Sequence, residues 1–273
     1  MLKKTAKKLL NLCVTVLSQV MHMHFPVTFV WNQKLNMLMN RYEPDTTAFF
    51  ISKIRPGMTV VDIGAHIGYF TRLFSKLVGS RGKVVAFEAD PFIFELLKKN
   101  TKRLKNVDMR QLAVGDRNGS TDFYHSEEKS GCSSTVEKLP ILFKKRKITV
   151  PACDLDSILE SSGVKRVDLI KMDIEGGEPR ALRGMQRTLE KNHDIILVTE
   201  FAPEWIRAGG MAPLKFLEEL KNLGFSVYSL ATGSLTLFDP KSEEEMNAAT
   251  SRYSEDIVFM NIYCVRERAH FTG

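Results

Sequence analysis

Val60–Phe70 reads VVDIGAHIGYF, and the reading of the whole chain turns on this stretch. It opens as a short β-branched run that ends on an acidic residue. It then passes through D-x-G-x-x-x-G into a helical pattern. Gly64 permits a sharp turn where a side chain would meet a ligand. Gly68 lets the next helix start close to the strand and bring its amides to the same place. A dinucleotide fold asks for G-x-G-x-x-G, with a pyrophosphate on the helix N-terminus. Here no third glycine follows, and Asp62 at the strand tip would repel a pyrophosphate. A carboxylate there favours a cation, such as the sulfonium and ammonium groups of S-adenosylmethionine.

Outward from this loop, apolar runs alternate with helical stretches. The runs are Thr59–Ile63, Lys83–Phe87, Val107–Val114, Val167–Met172, Asp194–Glu200, Ser226–Leu230 and Ile257–Val265. Between several of them lie helix-period segments: Tyr69–Leu77, Pro91–Leu104, Pro179–Lys191 and Pro213–Leu223. Short, continuously apolar strands between helices imply an α/β fold with a parallel sheet covered on both faces. Pro91 and Pro213 suit first-turn positions, and Gly224 suits a left-handed cap. Thr121–Pro151 breaks the rhythm and reads as an irregular or hairpin insertion placed to cover a substrate.

Ligands of such sheets bind outside the carboxyl ends of the strands. The second strand ends in FEAD, where Glu88 can accept hydrogen bonds from both ribose hydroxyls, followed by Ala89 and Asp90. The third exits through QLAVGD, where Ala113 and Val114 offer apolar rest for an adenine, with Asp116 nearby. The candidate cofactor residues are therefore Asp62, Gly64, Ala65, His66, Gly68, Tyr69, Glu88, Ala89, Asp90, Ala113 and Val114. Singly, each glycine could belong to any βαβ turn, Asp62 to a helix cap and Glu88 to the surface. Their joint placement favours the cofactor.

The segment DLIKMDIEGGEPRALRGM, Asp168–Met185, supplies the candidate catalytic pair. Residues two apart on extended chain face the same way, so Asp173 and Glu175 should project together. Neighbouring carboxylates push each other's pKa apart and leave one suited as a base. Asp173 is the expected base and Glu175 its support. The plainer reading is that the pair caps the next helix. Glu200, ending the fifth strand, points to the same edge. The spacing shows no dedicated cage for a hard cation, so no metal site is expected.

Together with VVDIGAHIGYF, FEADP, LAVGD and CDLDSIL, this segment resembles the FkbM family of methyltransferases, from about Arg55 to Arg266. The resemblance implies a class I, Rossmann-like sheet of seven mostly parallel strands and S-adenosyl-L-methionine as cofactor. It also implies O-methylation of a sugar, glycan or natural-product hydroxyl. Many relatives carry asparagine where this chain has His66. The alternatives are a nucleic-acid or peptide methyltransferase and an NAD-dependent oxidoreductase. The N/D-P-P-Y/F motif of base-amine methylation is missing, since the fourth strand ends in Asp173-Ile174-Glu175-Gly176. The dehydrogenase reading lacks its glycine fingerprint.

The 273 residues carry a net charge of +7, gathered in Lys3, Lys4, Lys7 and Lys8, in Lys98–Lys105 and in Lys144–Lys147. Such clusters suit solvated faces or an anionic partner. Cys13, Cys132, Cys153 and Cys264 are scattered, which argues against a zinc or disulfide framework and suits a reducing, cytoplasmic setting. The expected partner is a small-molecule or glycan acceptor, not nucleic acid. Residues 1–50 read as a helical extension and 51–273 as the catalytic domain. In the extension, Leu9, Leu12, Cys13, Val16, Leu17, Val20 and Met21 form one helical stripe. A spanning helix needs about 20 mostly apolar residues, and this run is shorter. The stripe either packs on the domain or lies, through residues 1–24, on the inner face of a membrane.

Overall fold

The computed structural model describes residues 2–140, 143–231, 234–250 and 259–266. It opens with α1 (Leu2–Val20), α2 (Trp31–Leu38) and α3 (Pro44–Lys53). The alternating region runs β1 (Thr59–Ile63), α4 (Tyr69–Val78), β2 (Lys83–Phe87), α5 (Pro91–Thr101) and β3 (Val107–Arg110). Next come β4 (Ala113–Gly115), β5 (Gly119–Ser126), β6 (Lys145–Asp154), α6 (Leu155–Ser161), β7 (Leu169–Met172), α7 (Glu178–Arg183) and α8 (Gln186–Lys191). The chain finishes with β8 (Ile196–Phe201), α9 (Pro203–Ala208), α10 (Pro213–Asn222), β9 (Ser226–Ala231), β10 (Ser234–Leu237), α11 (Glu243–Thr250) and β11 (Met260–Val265).

The main sheet has the order β10-β9-β11-β8-β7-β1-β2-β3. β3, β2, β1, β7 and β8 pair in parallel, and β11 runs antiparallel between β8 and β9. The seven strands expected from the sequence are thus present, and β10 adds an eighth through an antiparallel pairing with β9. β10 carries no continuous apolar run, because it is an edge strand with Leu237 exposed. The expected strand Val107–Val114 divides. β3 stays in the main sheet, whereas β4 pairs with β6 in a second sheet of order β4-β6-β5. The two ends of the insertion become the antiparallel β5–β6 pair. The expected helix Pro179–Lys191 is two short helices, since a Cβ on Gly184 would lie 1.8 Å from the Gly115 carbonyl oxygen. Ile257 and Val258 lie outside the described residues.

Alternation along β1 sends Val60 and Val61 to opposite faces. Val60 joins Phe49, Phe50, Phe70 and Phe74 under α3 and α4. Val61 joins Ile170, Leu197, Leu155, Leu182 and Leu217 on the other face. Phe50 is fully buried, 5.3 Å from the Phe70 ring and 4.8 Å from that of Phe74. The expected domain boundary at residue 50 therefore falls inside α3, whose aromatic residues belong to the main core.

The start of the chain departs further from expectation. Val14 is buried against α2, in a cluster with Met37 and Leu38. The Arg72 guanidinium holds the carbonyls of Met21 and His22, and the Asn100 amide holds both the N–H and the C=O of His24. The expected stripe does not pack on the domain: Leu12, Val16 and Val20 are 60%, 51% and 71% exposed. Helical periodicity identifies the apolar face but not what covers it.

Candidate active site

β1 lies between β2 and β7, where the strand order reverses, and the three exits open into a cavity of about 380 Å³. That size suits a small-molecule site. Gly64 adopts φ +80°, and a Cβ there would stand 1.8 Å from the carbonyl oxygen of Asp173. The backbone of the neighbouring exit therefore demands a glycine here, at a position that also lines the cavity. The N–H groups of Gly64 and Ala65 both donate to the Phe87 carbonyl, at 3.0 and 2.8 Å, tying the β1 loop to β2. Gly68, also left-handed, opens α4 and packs toward Leu97 without lining the cavity.

Asp62 is fully buried. Its Oδ2 accepts from the Thr71 hydroxyl at 2.6 Å, while Oδ1 finds no hydrogen-bond partner among the described residues. Burial pushes this carboxyl above its ordinary value, against the pull of Lys171. Glu88, at the β2 exit, accepts the His66 N–H on Oε2 and the Asp90 N–H on Oε1, each at 2.8 Å. Burial still outweighs those amides and pushes Glu88 up to about 8. His66 sits at φ +51°, with Nε2 2.9 Å from the Ser130 hydroxyl and its ring 5.9 Å from that of Phe29. Burial lowers its pKa to about 4, so the ring is neutral and ties the cofactor loop to the insertion.

Ala65, His66, Tyr69, Glu88, Ala89, Ala113 and Val114 line the cavity as their positions suggest, and Leu112 and Phe123 complete that apolar end. Asp90 does not reach it. Its Oδ1 caps α5 by accepting from Phe92 and Ile93, and its Oδ2 lies 2.5 Å from His125 Nδ1. A carboxylate followed by proline is a helix-cap signal, and here the cap prevails.

At the opposite end, carboxylate oxygens of Asp173, Glu175 and Glu200 lie within 4.8 Å of one another. Buried Lys171 donates to Asp173 Oδ2 at 3.1 Å. Although burial opposes its charge, Asp173, Asp62 and Glu43 together hold Lys171 above its ordinary value. Burial, then Glu200 and Asp173, push Glu175 well up. Burial, then Asp173 and Glu178, do the same to Glu200. Strand alternation accounts for Lys171 and Asp173 but not for Glu175. Glu175 reaches the cluster through a turn in which it adopts φ +56°. Neither Asp173 nor Glu175 caps α7; Glu178, its first residue, accepts from the N–H groups of Ile174 and Gly176 and so fixes the turn that carries Glu175.

Several wall residues carry no motif. Phe29, Gln33, Met37, Tyr42 and Glu43 come from the N-terminal segment, and Lys129–Ser133 and Thr135 from the insertion. Glu43 accepts from Asn261 at 2.9 Å, and burial with Asp173 raises its pKa. The only hint in the sequence is the one that marked the insertion as a cover.

The family model for the methyltransferase FkbM domain matches residues 62–227. The chain belongs to this family. It is an S-adenosylmethionine-dependent methyltransferase, and the dehydrogenase alternative falls away. This FkbM enzyme is 26% identical to the 2-O-methyltransferase NoeI of Sinorhizobium fredii, over 61% of this chain and 72% of that protein. It is 28% identical to methyltransferase 1 of Beauveria bassiana, over 62% and 72%. It is 24% identical to the hexuronic acid methyltransferase AglP of Haloferax volcanii, over 58% of this chain and 62% of that one. The cavity fits the cofactor. The unpartnered Asp62 oxygen can receive a cationic ammonium, and each Glu88 oxygen keeps a lone pair for a ribose hydroxyl.

Proposed function

We propose that the acceptor is a hydroxyl of a neutral, polyhydroxylated molecule, a sugar or glycan before other natural products. The observation that carries this reading is the convergence of Asp173, Glu175 and Glu200 in the cavity. Such a wall offers acceptors and, where protonated, donors to hydroxyl groups. Its ammonium, Lys171, is already held by Asp173, so this wall offers a phosphodiester no counter-charge, and the basic clusters are not read as marking a nucleic-acid substrate. The name of NoeI, which specifies an oxygen position, supports methylation on oxygen, and that of AglP supports a sugar-derived acceptor though not its neutrality.

When bound, S-adenosylmethionine supplies a methyl carbon activated by positive sulfur. Asp62, Glu88, the loop Gly64–Tyr69 and Leu112–Val114 would hold it. Asp173, kept beside the Lys171 ammonium, takes the proton from the attacking hydroxyl. Glu175 and Glu200, whose burial and neighbouring carboxylates favour the protonated form, orient the acceptor by hydrogen bonds to its hydroxyls.

The test is release of S-adenosylhomocysteine with a panel of mono- and oligosaccharides, set beside tRNA and small amines, with the product read by NMR. A methyl on oxygen of a sugar is expected. A methyl found only on nitrogen, or turnover with tRNA alone, would overturn the reading.

A further inference from the structure

α1 turns to solvent the face that its sequence makes apolar. Leu12, Val16 and Val20 stand a turn apart on one side, flanked by Leu17 and Met21, and all five are exposed. Val14, on the other side, packs with α2. The helix is fastened at its C-terminal end by Arg72, so the exposed face belongs to a held element.

The charge around this face is of one sign. No Asp or Glu precedes Glu43, whereas Lys3, Lys4, Lys7, Lys8, Lys34 and Arg41 fall in that span. Where α1 ends, Arg103, with Lys102 and Arg72, stands close enough to His22 to lower its pKa. An apolar face carried by a stretch of sequence whose charges are all cationic suits a partner that is apolar at one depth and anionic at another. A bilayer with acidic headgroups meets both demands. A second copy of this chain would set like charges against each other. Among the described residues no helix is long and apolar enough to cross a membrane, so α1 can only lie in the plane of one.

We propose that α1 docks the enzyme on an anionic lipid surface, its apolar face at the headgroup–acyl boundary and its lysines on the phosphates. α1 leads through Phe29 into Gln33 and Met37 of the cavity wall, so the docked enzyme carries its cavity beside the bilayer. The inference does not depend on which hydroxyl the cavity accepts.

The experiment is co-sedimentation of the full chain with vesicles of phosphatidylcholine plus phosphatidylglycerol, and with phosphatidylcholine alone. Binding to the mixed vesicles is expected, weakened by added salt and by loss of the anionic lipid. A Val16→Glu, Val20→Glu double variant should bind at least about tenfold more weakly. Its uptake of S-adenosylhomocysteine should match the parent, which shows that it is folded. A Lys3→Gln, Lys4→Gln, Lys7→Gln, Lys8→Gln variant should lose the preference for anionic lipid. Failure of the parent chain to bind, or equal binding by the glutamate variant, overturns the proposal. So does a solution dimer that the glutamate pair dissociates without any vesicle binding, which would make the face a contact between copies.

Discussion

The carbonyl oxygen of Asp173 occupies the space that a side chain on Gly64 would need, with only 1.8 Å left for a Cβ. The contact locks the β1 exit against the β7 exit, and so sets the cofactor loop against the acidic wall. Gly64→Ala adds both this collision and a strained φ of +80°. A loss of at least about 1–3 kcal/mol in stability is expected, with uptake of S-adenosylhomocysteine abolished or strongly weakened. Thermal unfolding and calorimetry measure the two effects. A variant that melts and binds like the parent would show that the exits move independently.

Asp173→Asn keeps the shape of the side chain and removes the proton acceptor. With cofactor saturating, kcat should fall about 10²–10⁴-fold, while S-adenosylhomocysteine still binds. Glu200→Gln should change KM and kcat far less, because a neutral amide can still donate to a hydroxyl. Steady-state kinetics on the two variants separate base from orienting group. An Asp173→Asn enzyme at full rate would remove Asp173 from the chemistry.

Activity should survive EDTA. Asp173, Glu175 and Glu200 stand close enough together to share a divalent cation. Yet Lys171 already places a buried positive charge 3.1 Å from Asp173. Loss of turnover on chelation, restored by Mg²⁺ or Mn²⁺, would contradict this.

Much of the frame was legible because it depends on local patterns. The β-branched run ending in Asp62, the helix start at Pro91 and the strand before Asp173 each announce themselves within a few residues. What escaped depends on contacts distant in sequence. Tyr42 and Glu43 reach the cavity only because Phe49 and Phe50 anchor α3 in the core. Glu175 joins the acids through a left-handed turn that strand alternation does not foresee. Phe123 lines the cavity because β4 leaves the main sheet and pairs with β6. The stripe of α1 left two readings open for another reason: a helical stripe looks the same whether protein, lipid or water covers it.

Phe50→Ala tests whether the first fifty residues are separable from the catalytic body. Phe50 is fully buried between Phe70 and Phe74, so truncation leaves a cavity in the core beneath α4. A cost of about 3–5 kcal/mol is expected in urea unfolding. A chain beginning at residue 51 should lose more than that, since Phe49 goes as well. If the shortened chain unfolds with parental stability, α3 is an appendage after all.

The Glu88 carboxyl gives the enzyme a pH dependence whose sign can be worked out. Its pKa in the folded chain is raised to about 8 by burial, from an ordinary 4.5. Between those values the folded chain holds a proton that the unfolded chain releases. The contribution of Glu88 to stability therefore falls as pH rises through this window, and levels off above about pH 8. Ribose hydroxyls donate to the ionised carboxylate, so S-adenosylhomocysteine must displace that proton to bind below this range. Affinity should rise toward pH 8, by at most about tenfold per unit, with protons released to buffer. Calorimetry across pH, in buffers of different ionisation enthalpy, reads both quantities. Glu88→Gln should flatten the profile and weaken binding above neutrality. A parent chain whose affinity falls as pH rises from 6 to 8 would refute the role assigned to this carboxyl.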